Sequence, residues 1–237
     1  TIATLNCRRI RTSVDKIITQ LTPDLRPTPA DFAPPLATPL STLASYMYSH
    51  AIDILCLQEV AITAVQFSKA QTEVAPYRLI LTPCLPTTKT SGPTSAGTAI
   101  LLSPRLAFHA PTWWSQSDGR LAACRLVFDS GTPLVIISAY LYDNPHHPSR
   151  RTVAKAHATA VATFARECHD AGDAVICCAD LNVSAAPHAT PAQRNTRATF
   201  TSHARLSDTL LGAFDTLPNT HETDRHATSI DSILFST

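Results

Sequence analysis

At 237 residues with 44% apolar side chains, the chain is long enough for one large domain with a core of its own. Its formal net charge of +1, with 16% charged residues, excludes a global basic field, so a nucleic-acid partner would be held by local arginines. No charged N-terminal segment leads into a long apolar run, and no uninterrupted apolar stretch nears the roughly 18 residues a membrane helix needs, which predicts a soluble protein without a membrane partner.

The first residues, "TIATLNC", read as a strand. A helix is expected from about Val14 to Leu21, followed by "LTPDLRPTPADFAPPLATPL", whose six prolines in twenty residues predict a surface loop. A helix over about Leu40 to Ser49 precedes the strand "DILCLQEV", and another is expected near 62 to 73 before the strand "YRLILT". The irregular stretch 82 to 97 leads into "GTAILLS", and "LAACRLVFD" and "PLVIISAYLY" form a pair closed by "FDSGTP". Residues 150 to 170 make the strongest helix, with Val153, Ala156, Val161 and Phe164 at helical spacing. "AVICCADLN" and "SIDSILFS" complete the strands.

Continuous apolar runs of this kind are strands buried on both faces. Their order predicts an α/β (α+β) protein, a four-layer αββα sandwich of two mixed β-sheets packed face to face with helices outside. A doubly wound single sheet is the alternative, weakened because no Gly-rich phosphate loop follows the first strand. Seven cysteines at 7, 56, 84, 124, 168, 177 and 178, without a C-x-x-C pair, read as reduced, buried thiols of an intracellular protein and not as a zinc site. A chain that lacks an initial Met and opens and closes on strands is expected to be a single domain, residues 1–237, cut from a larger polypeptide.

Polar residues recur at the ends of the apolar strands: Asn6, then Gln58 and Glu59, Tyr140, Asp180 and Asn182, and Asp231. Each has an ordinary structural reading. Asn6 fits a helix cap, Glu59 a helix-start acid, and Asp180 with Asn182 an Asx turn. Strand ends on one side of a layered fold converge, however, and carboxylates and amides gathered there would bind a hard cation through oxygen.

These segments resemble, in order and over almost the whole chain, the endonuclease/exonuclease/phosphatase (DNase I-like) superfamily. "TLNC" is similar to its first-strand Asn motif, "DILCLQEV" to its Leu-Gln-Glu segment, and "GTAILLS" and "DGRLAACRL" to its middle hairpin strands. "ISAYLYDNP" matches the Tyr-bearing strand, "CADLNVS" the Gly-Asp-Phe-Asn segment, "RLSDTL" a late Asp segment, and "TSIDSILFS" the terminal Ser-x-Ile-Asp-His strand. The resemblance implies a bound Mg²⁺, with Mn²⁺ as a substitute, held by Glu59 with Asn6 beside it and supported by Asp231. It implies that Asp180 orients or activates the attacking water and that Asn182 and Tyr140 donate hydrogen bonds to phosphate oxygens. Asp208 would be a supporting carboxylate, unless "LSDTL" opens a short helix.

Two departures from the pattern stand out. Ala179 replaces the Gly before Asp180, a mild change unless the backbone needs φ > 0. Ser232 stands where most of the superfamily has His after Asp231, and a serine carries no proton near neutral pH. Losing a positioned acid/base typically removes about 10²- to 10⁴-fold in rate. Either His226 or His221 substitutes, or the domain works slowly on metal and Asp180, or the copy is degenerate and serves in binding.

Size and the spacing from "CADLN" to "SID" resemble most closely the endonuclease domain of LINE-type non-LTR retrotransposons. That reading implies DNA nicking, a reverse transcriptase domain in the same polyprotein as partner, and a nuclear location when chromosomal DNA is the target. Arg8, Arg9 and Arg11, Arg150 and Arg151, and Arg194 and Arg197 follow the strand ends and would face the DNA backbone. Trp113 and Trp114 would stack on a base, or divide as one core and one surface residue. The competing readings are a catalytically impaired nucleic-acid-binding domain of the same fold, and a phosphoesterase acting on a small or lipid phosphate.

Overall fold

The computed structural model describes residues 1–6, 38–84, 96–107, 109, 112–129, 131–142, 151–182, 191–208, 221–222, 227–228 and 231–236. The helix expected near Val14 to Leu21, most of the proline-rich stretch, and residues 85–95 of the second irregular stretch lie outside these. By its internal contacts the chain divides into two compact units, Thr1–Phe108 with Ser115–Ala122, and His109–Trp114 with Ala123–Thr237.

In the first unit, strands β1 (Ile2–Asn6), β2 (Ile54–Gln58), β3 (Arg78–Thr82) and β4 (Thr98–Leu102) form a sheet in the order β1-β2-β4-β3. β1 runs parallel to β2, and β4 is antiparallel to both of its neighbours, so the sheet is mixed. Every residue of β2 and β4 is buried, as an unbroken apolar run predicts. Helix α1 (Pro39–Ser49) starts where Thr38 and Ser41 exchange capping hydrogen bonds and Pro39 occupies the first helical turn. Leu40, Leu43 and Met47 of α1 join Leu55, Leu57, Leu79 and Leu101 in one core cluster. A 3₁₀ turn (Ala64–Gln66) runs into α2 (Phe67–Glu73), within the expected 62 to 73, and α2 adds Ala70 to that cluster. A one-turn helix, α3 (Pro104–Ala107), follows β4.

Asp53, just before β2, takes a bidentate contact from Arg105 and a 2.6 Å ion pair from the Thr1 ammonium. The Arg105 hydrogen bonds, more than the ammonium, hold its carboxyl down to about 2. A carboxyl depressed in the folded state stabilises above its unfolded value of about 3.9, and that stabilisation is lost as pH falls toward 2. Arg105→Met is therefore expected to lower the melting temperature at pH 7 by about 2 °C and to leave it unchanged at pH 2. Thermal denaturation at the two pH values checks this; an equal loss at both would assign Arg105 a packing role instead.

A second sheet, six-stranded, runs in the order β5-β6-β7-β8-β12-β9, with β7, β8, β9 and β12 in the second unit. Its strands are β5 (Thr112–Ser115), β6 (Leu121–Leu126), β7 (Leu134–Tyr140), β8 (Ala174–Asp180), β9 (Leu206–Asp208) and β12 (Asp231–Ser236). β7 and β8 are parallel, which requires a crossover, supplied by α4 (Arg151–Asp170); β12 is antiparallel to β8 and β9 to β12. Helix α5 (Pro191–Ala204) leads into β9, and β10 (His221–Glu222) pairs with β11 (Ala227–Thr228) as a separate ribbon. Two mixed sheets with helices are thus present, and a doubly wound single sheet is not.

The buried stripe of α4 corrects the expected one. Ala154, His157, Val161, Ala162, Ala165 and Cys168 are buried, whereas Val153 is 53% exposed and Ala156 is exposed. The buried stripe therefore carries three alanines and a histidine, which apolar size alone does not single out. Phe164 is half-buried and meets Trp114 edge-on at 5.4 Å. Asp208 is likewise corrected in one respect: residues 206–208 are a strand paired with β12, not the opening of a helix. Cys56, Cys84, Cys124, Cys168, Cys177 and Cys178 are buried and not joined in disulfides, and burial pushes the Cys168 thiol up to about 11. No helix among the described residues is long and apolar enough to cross a membrane.

Candidate active site

In the second unit the register of three strands brings predicted residues into one row. β7 and β8 pair so that Tyr140 stands opposite Asp180, and β12 pairs from the other side so that Asp231 also stands opposite Asp180. Asp180 is fully buried and Tyr140 nearly so. The backbone turns immediately afterward. The Leu141 amide donates to the Asp180 carbonyl at 2.9 Å, the Asn182 amide donates to Asp180 Oδ1 at 2.9 Å, and Asn182 Nδ2 donates to the Leu141 carbonyl at 2.8 Å. Asn182 adopts φ +50°, a conformation asparagine accepts more readily than most residues.

The Asx turn read from sequence is therefore real, and it does not displace the chemical reading. It fixes the Asp180 carboxylate through a backbone amide and fixes Asn182 through a backbone carbonyl. A carboxamide has two hydrogens, so the bond to Leu141 leaves Asn182 one for a phosphate oxygen. Ser232 stands opposite Ala179 in the ladder, and Asp208 opposite Leu234 farther along β12. The backbone thus groups Tyr140, Asp180, Asn182 and Asp231 and sets Asp208 apart from them. His221 lies in the separate ribbon, and His226 lies outside the described residues.

In the first unit Asn6 pairs with Gln58 across the parallel ladder, and the Thr4 hydroxyl donates to Gln58 Oε1 at 3.2 Å. Glu59 follows, half-buried, with φ +54°. It is not a helix-start acid, because the next helical turn begins at Ala64 and has no acid in its first turn. A bulky residue held in left-handed backbone is strained, and strain of this kind collects at functional positions. Sequence reasoning passed over Thr4, although its position two residues before Asn6 puts both on the same side of β1.

Among the described residues no group of three or more His, Cys, Asp or Glu side chains is arranged to hold a metal ion. Glu59 and Asn6 offer hard oxygen atoms, and Mg²⁺ is commonly bound by one or two carboxylates with waters and substrate phosphates completing its shell.

The arginines divide. Arg8, Arg9, Arg11 and Arg150 lie outside the described residues, as does the side chain of Arg194. Arg151 is exposed at the first residue of α4. Arg197 departs from the expected surface role: it is 4% exposed, because it lies on the part of α5 turned away from solvent. A groove of about 430 Å³ has Leu141, Leu181, Ala158 and Phe200 in its lining together with Arg151 and Lys155. Trp113 is 53% exposed and Trp114 packs on Phe164, the ordinary division of a tandem pair.

The chain belongs to the Endonuclease/Exonuclease/phosphatase family, whose model matches residues 3–237. Its fold is DNase I-like. The AP endonuclease LMAP from Leishmania major is similar with a TM-score of 0.72 at 13% identity, over 99% of this chain and 78% of that one. The APE2 catalytic domain of Xenopus laevis gives 0.63 at 19% identity over 82% and 77%, and the 3'-5' exonuclease NExo of Neisseria meningitidis 0.61 at 15% over 83% and 81%. A sequence search of curated proteins finds no match.

Proposed function

We propose that the chain hydrolyses phosphodiester bonds of DNA in a Mg²⁺-dependent reaction, as the endonuclease domain of a non-LTR retrotransposon that works beside a reverse transcriptase domain in the nucleus. The observation that carries the chemistry is the row formed by Tyr140, Asp180 and Asp231, with Asn182 locked beside it.

Glu59 and Asn6 are the residues that would hold Mg²⁺, or Mn²⁺ in its place. When bound, the ion neutralises charge on the phosphate and on the departing oxygen. Asp180, its carboxylate oriented by the Asn182 amide at 2.9 Å, aligns the attacking water and draws off its proton. Asn182 and Tyr140 donate to the phosphate oxygens, where charge builds in the transition state. Asp231, opposite Asp180 in the ladder, adds a second carboxylate to that row. Asp208, set apart on β9, acts at most as support. Arg151 holds the DNA backbone, a sequence-independent contact that weakens with salt; Arg8, Arg9, Arg150 and Arg194 share that role, and the buried Arg197 does not. Ser232 favours a second reading, a domain that binds nucleic acid with little catalysis.

Hydrolysis of a supercoiled plasmid, an abasic duplex and an inositol phosphate should be compared in Mg²⁺. Plasmid nicking faster than turnover of the small phosphate supports the nuclease reading. Phosphate release from the small substrate without nicking would overturn it, and plasmid binding without any hydrolysis would favour the second reading.

A further inference from the structure

We propose that Gly119, far from Glu59 in the sequence, is a positioning residue for Glu59. The inference rests on the reading of Glu59 as a metal ligand.

Glu59 sits in a knot of left-handed backbone. Glu59 and Ala61 have φ of +54° and +50°, Gly97 of +91° and Gly119 of +77°. Backbone hydrogen bonds connect them. The Val60 amide donates to the Gly97 carbonyl at 3.0 Å, the Ala61 amide to the Ala96 carbonyl at 3.1 Å, and the Gly97 amide to the Gly119 carbonyl at 2.9 Å. The Gly119 carbonyl therefore holds the segment that holds the two residues after Glu59. Left-handed backbone at a non-glycine residue persists only where its surroundings over-determine it, and this chain of bonds is part of that surrounding.

A second route joins the same segments. A Cβ placed on Gly119 would lie 2.8 Å from the Pro83 carbonyl oxygen and 3.4 Å from the Gly97 nitrogen. The next residue, Cys84, donates its amide to the Ile62 carbonyl at 2.9 Å, so displacing Pro83 also pulls on the segment after Glu59. Gly119 cannot retreat. Its own amide closes a turn onto the Gln116 carbonyl at 3.1 Å, the Arg120 amide donates to Asp118 Oδ1 at 3.1 Å, and the Leu121 carbonyl is gripped by the Thr82 hydroxyl at 2.7 Å. Backbone, not a flexible side chain, faces the added atom on every side, so the strain passes to Gly97 and from there to Glu59.

Other glycines supply the control. Gly172 has φ +89° with nothing within 4 Å of an added Cβ, so alanine there meets the same left-handed penalty without touching Glu59. Mn²⁺ titration followed by water-proton relaxation should be run on the parent, Glu59→Gln, Gly119→Ala, Gly119→Asn and Gly172→Ala, with a melting curve for each. Asparagine tolerates left-handed backbone, so Gly119→Asn isolates the contact with Pro83 if Gly119→Ala does not fold. Mn²⁺ affinity is expected to fall about tenfold or more in the Gly119 variants, the effect typical of groups that orient a ligand, and to stay at the parent value in Gly172→Ala. A folded Gly119→Asn with parent affinity, beside a Glu59→Gln that loses Mn²⁺, would overturn the positioning role and leave Glu59 a ligand. Parent-like Mn²⁺ binding by Glu59→Gln would remove the ligand reading and this proposal with it. Loss of fold in both Gly119 variants, against a folded Gly172→Ala, would make Gly119 a scaffold residue and overturn the proposal.

Discussion

Glu59→Gln is expected to lower Mg²⁺-dependent nicking of supercoiled plasmid by about 10³-fold, because a metal ion's stabilisation of transition-state charge is worth several kcal/mol and each 1.36 kcal/mol is tenfold in rate. Glutamine keeps the volume and one oxygen of the side chain and removes its charge, so the half-buried position at φ +54° is not otherwise disturbed. The melting temperature should move little. A rate equal to the parent's would show that Glu59 is strained for a reason other than metal binding. Raising Mn²⁺ should recover part of the lost rate if weakened affinity is the cause, and none if the carboxylate acts directly on the substrate.

The second large effect is a gain. Ser232→His is expected to raise the nicking rate by about 10²- to 10⁴-fold, the usual contribution of a positioned acid/base. The backbone places Ser232 opposite Ala179, next along β12 to Asp231, which itself stands opposite Asp180. Its signature is pH dependence: the variant should acquire an inflection near 6.5, the ordinary value for imidazole, that the parent lacks. An unchanged rate and profile would mean that proton transfer in this chain does not pass through position 232. A large gain would instead identify the parent as an intact scaffold whose catalytic proton carrier has been lost.

The strands were legible because their apolar runs are unbroken. "DILCLQEV" and "GTAILLS" each contain a strand in which all five residues are buried, and such runs announce themselves without periodicity. The helix between β7 and β8 was legible, and their parallel pairing needs the crossover that it supplies. What stayed hidden was local. Thr112–Ser115 is short and mostly exposed, so β5 has no pattern to read. Helix α5, "PAQRNTRATFTSHA", carries few apolar side chains and several threonines, and its helical state depends on packing with α4, where the Thr163 hydroxyl meets His203 Nε2 at 3.0 Å. The face of α4 was misjudged by weighting Val153 over Ala154, because side-chain size was read as burial.

The candidate site was legible in parts for the same reason. Tyr140, Asp180, Asn182 and Asp231 end or follow apolar strands, so the sequence places them at strand ends, and the ladder register then aligns Tyr140, Asp180 and Asp231 in one row. The Asx turn and the ladder pairings are what strand register and short-range side-chain bonding dictate. The support under Glu59 was not legible, because the contact of Gly119 with Gly97 joins segments far apart in the chain and only the folded backbone shows which glycines are spaceless. Arg197 shows the opposite failure: an arginine near a strand end is read as surface by default, and only packing reveals that this one is buried.

The central claim is that the strand-end carboxylate Asp180 serves metal-dependent cleavage of DNA. Its most direct test follows conversion of supercoiled plasmid to open circles by the purified chain in Mg²⁺, beside the same reaction with a chelator and with Asp180→Asn. The account predicts open circles from the parent in Mg²⁺, none with chelator, and a rate about 10²- to 10⁴-fold lower for Asp180→Asn. Nicking that survives the chelator or the Asp180 substitution, or a parent that never nicks, would contradict it.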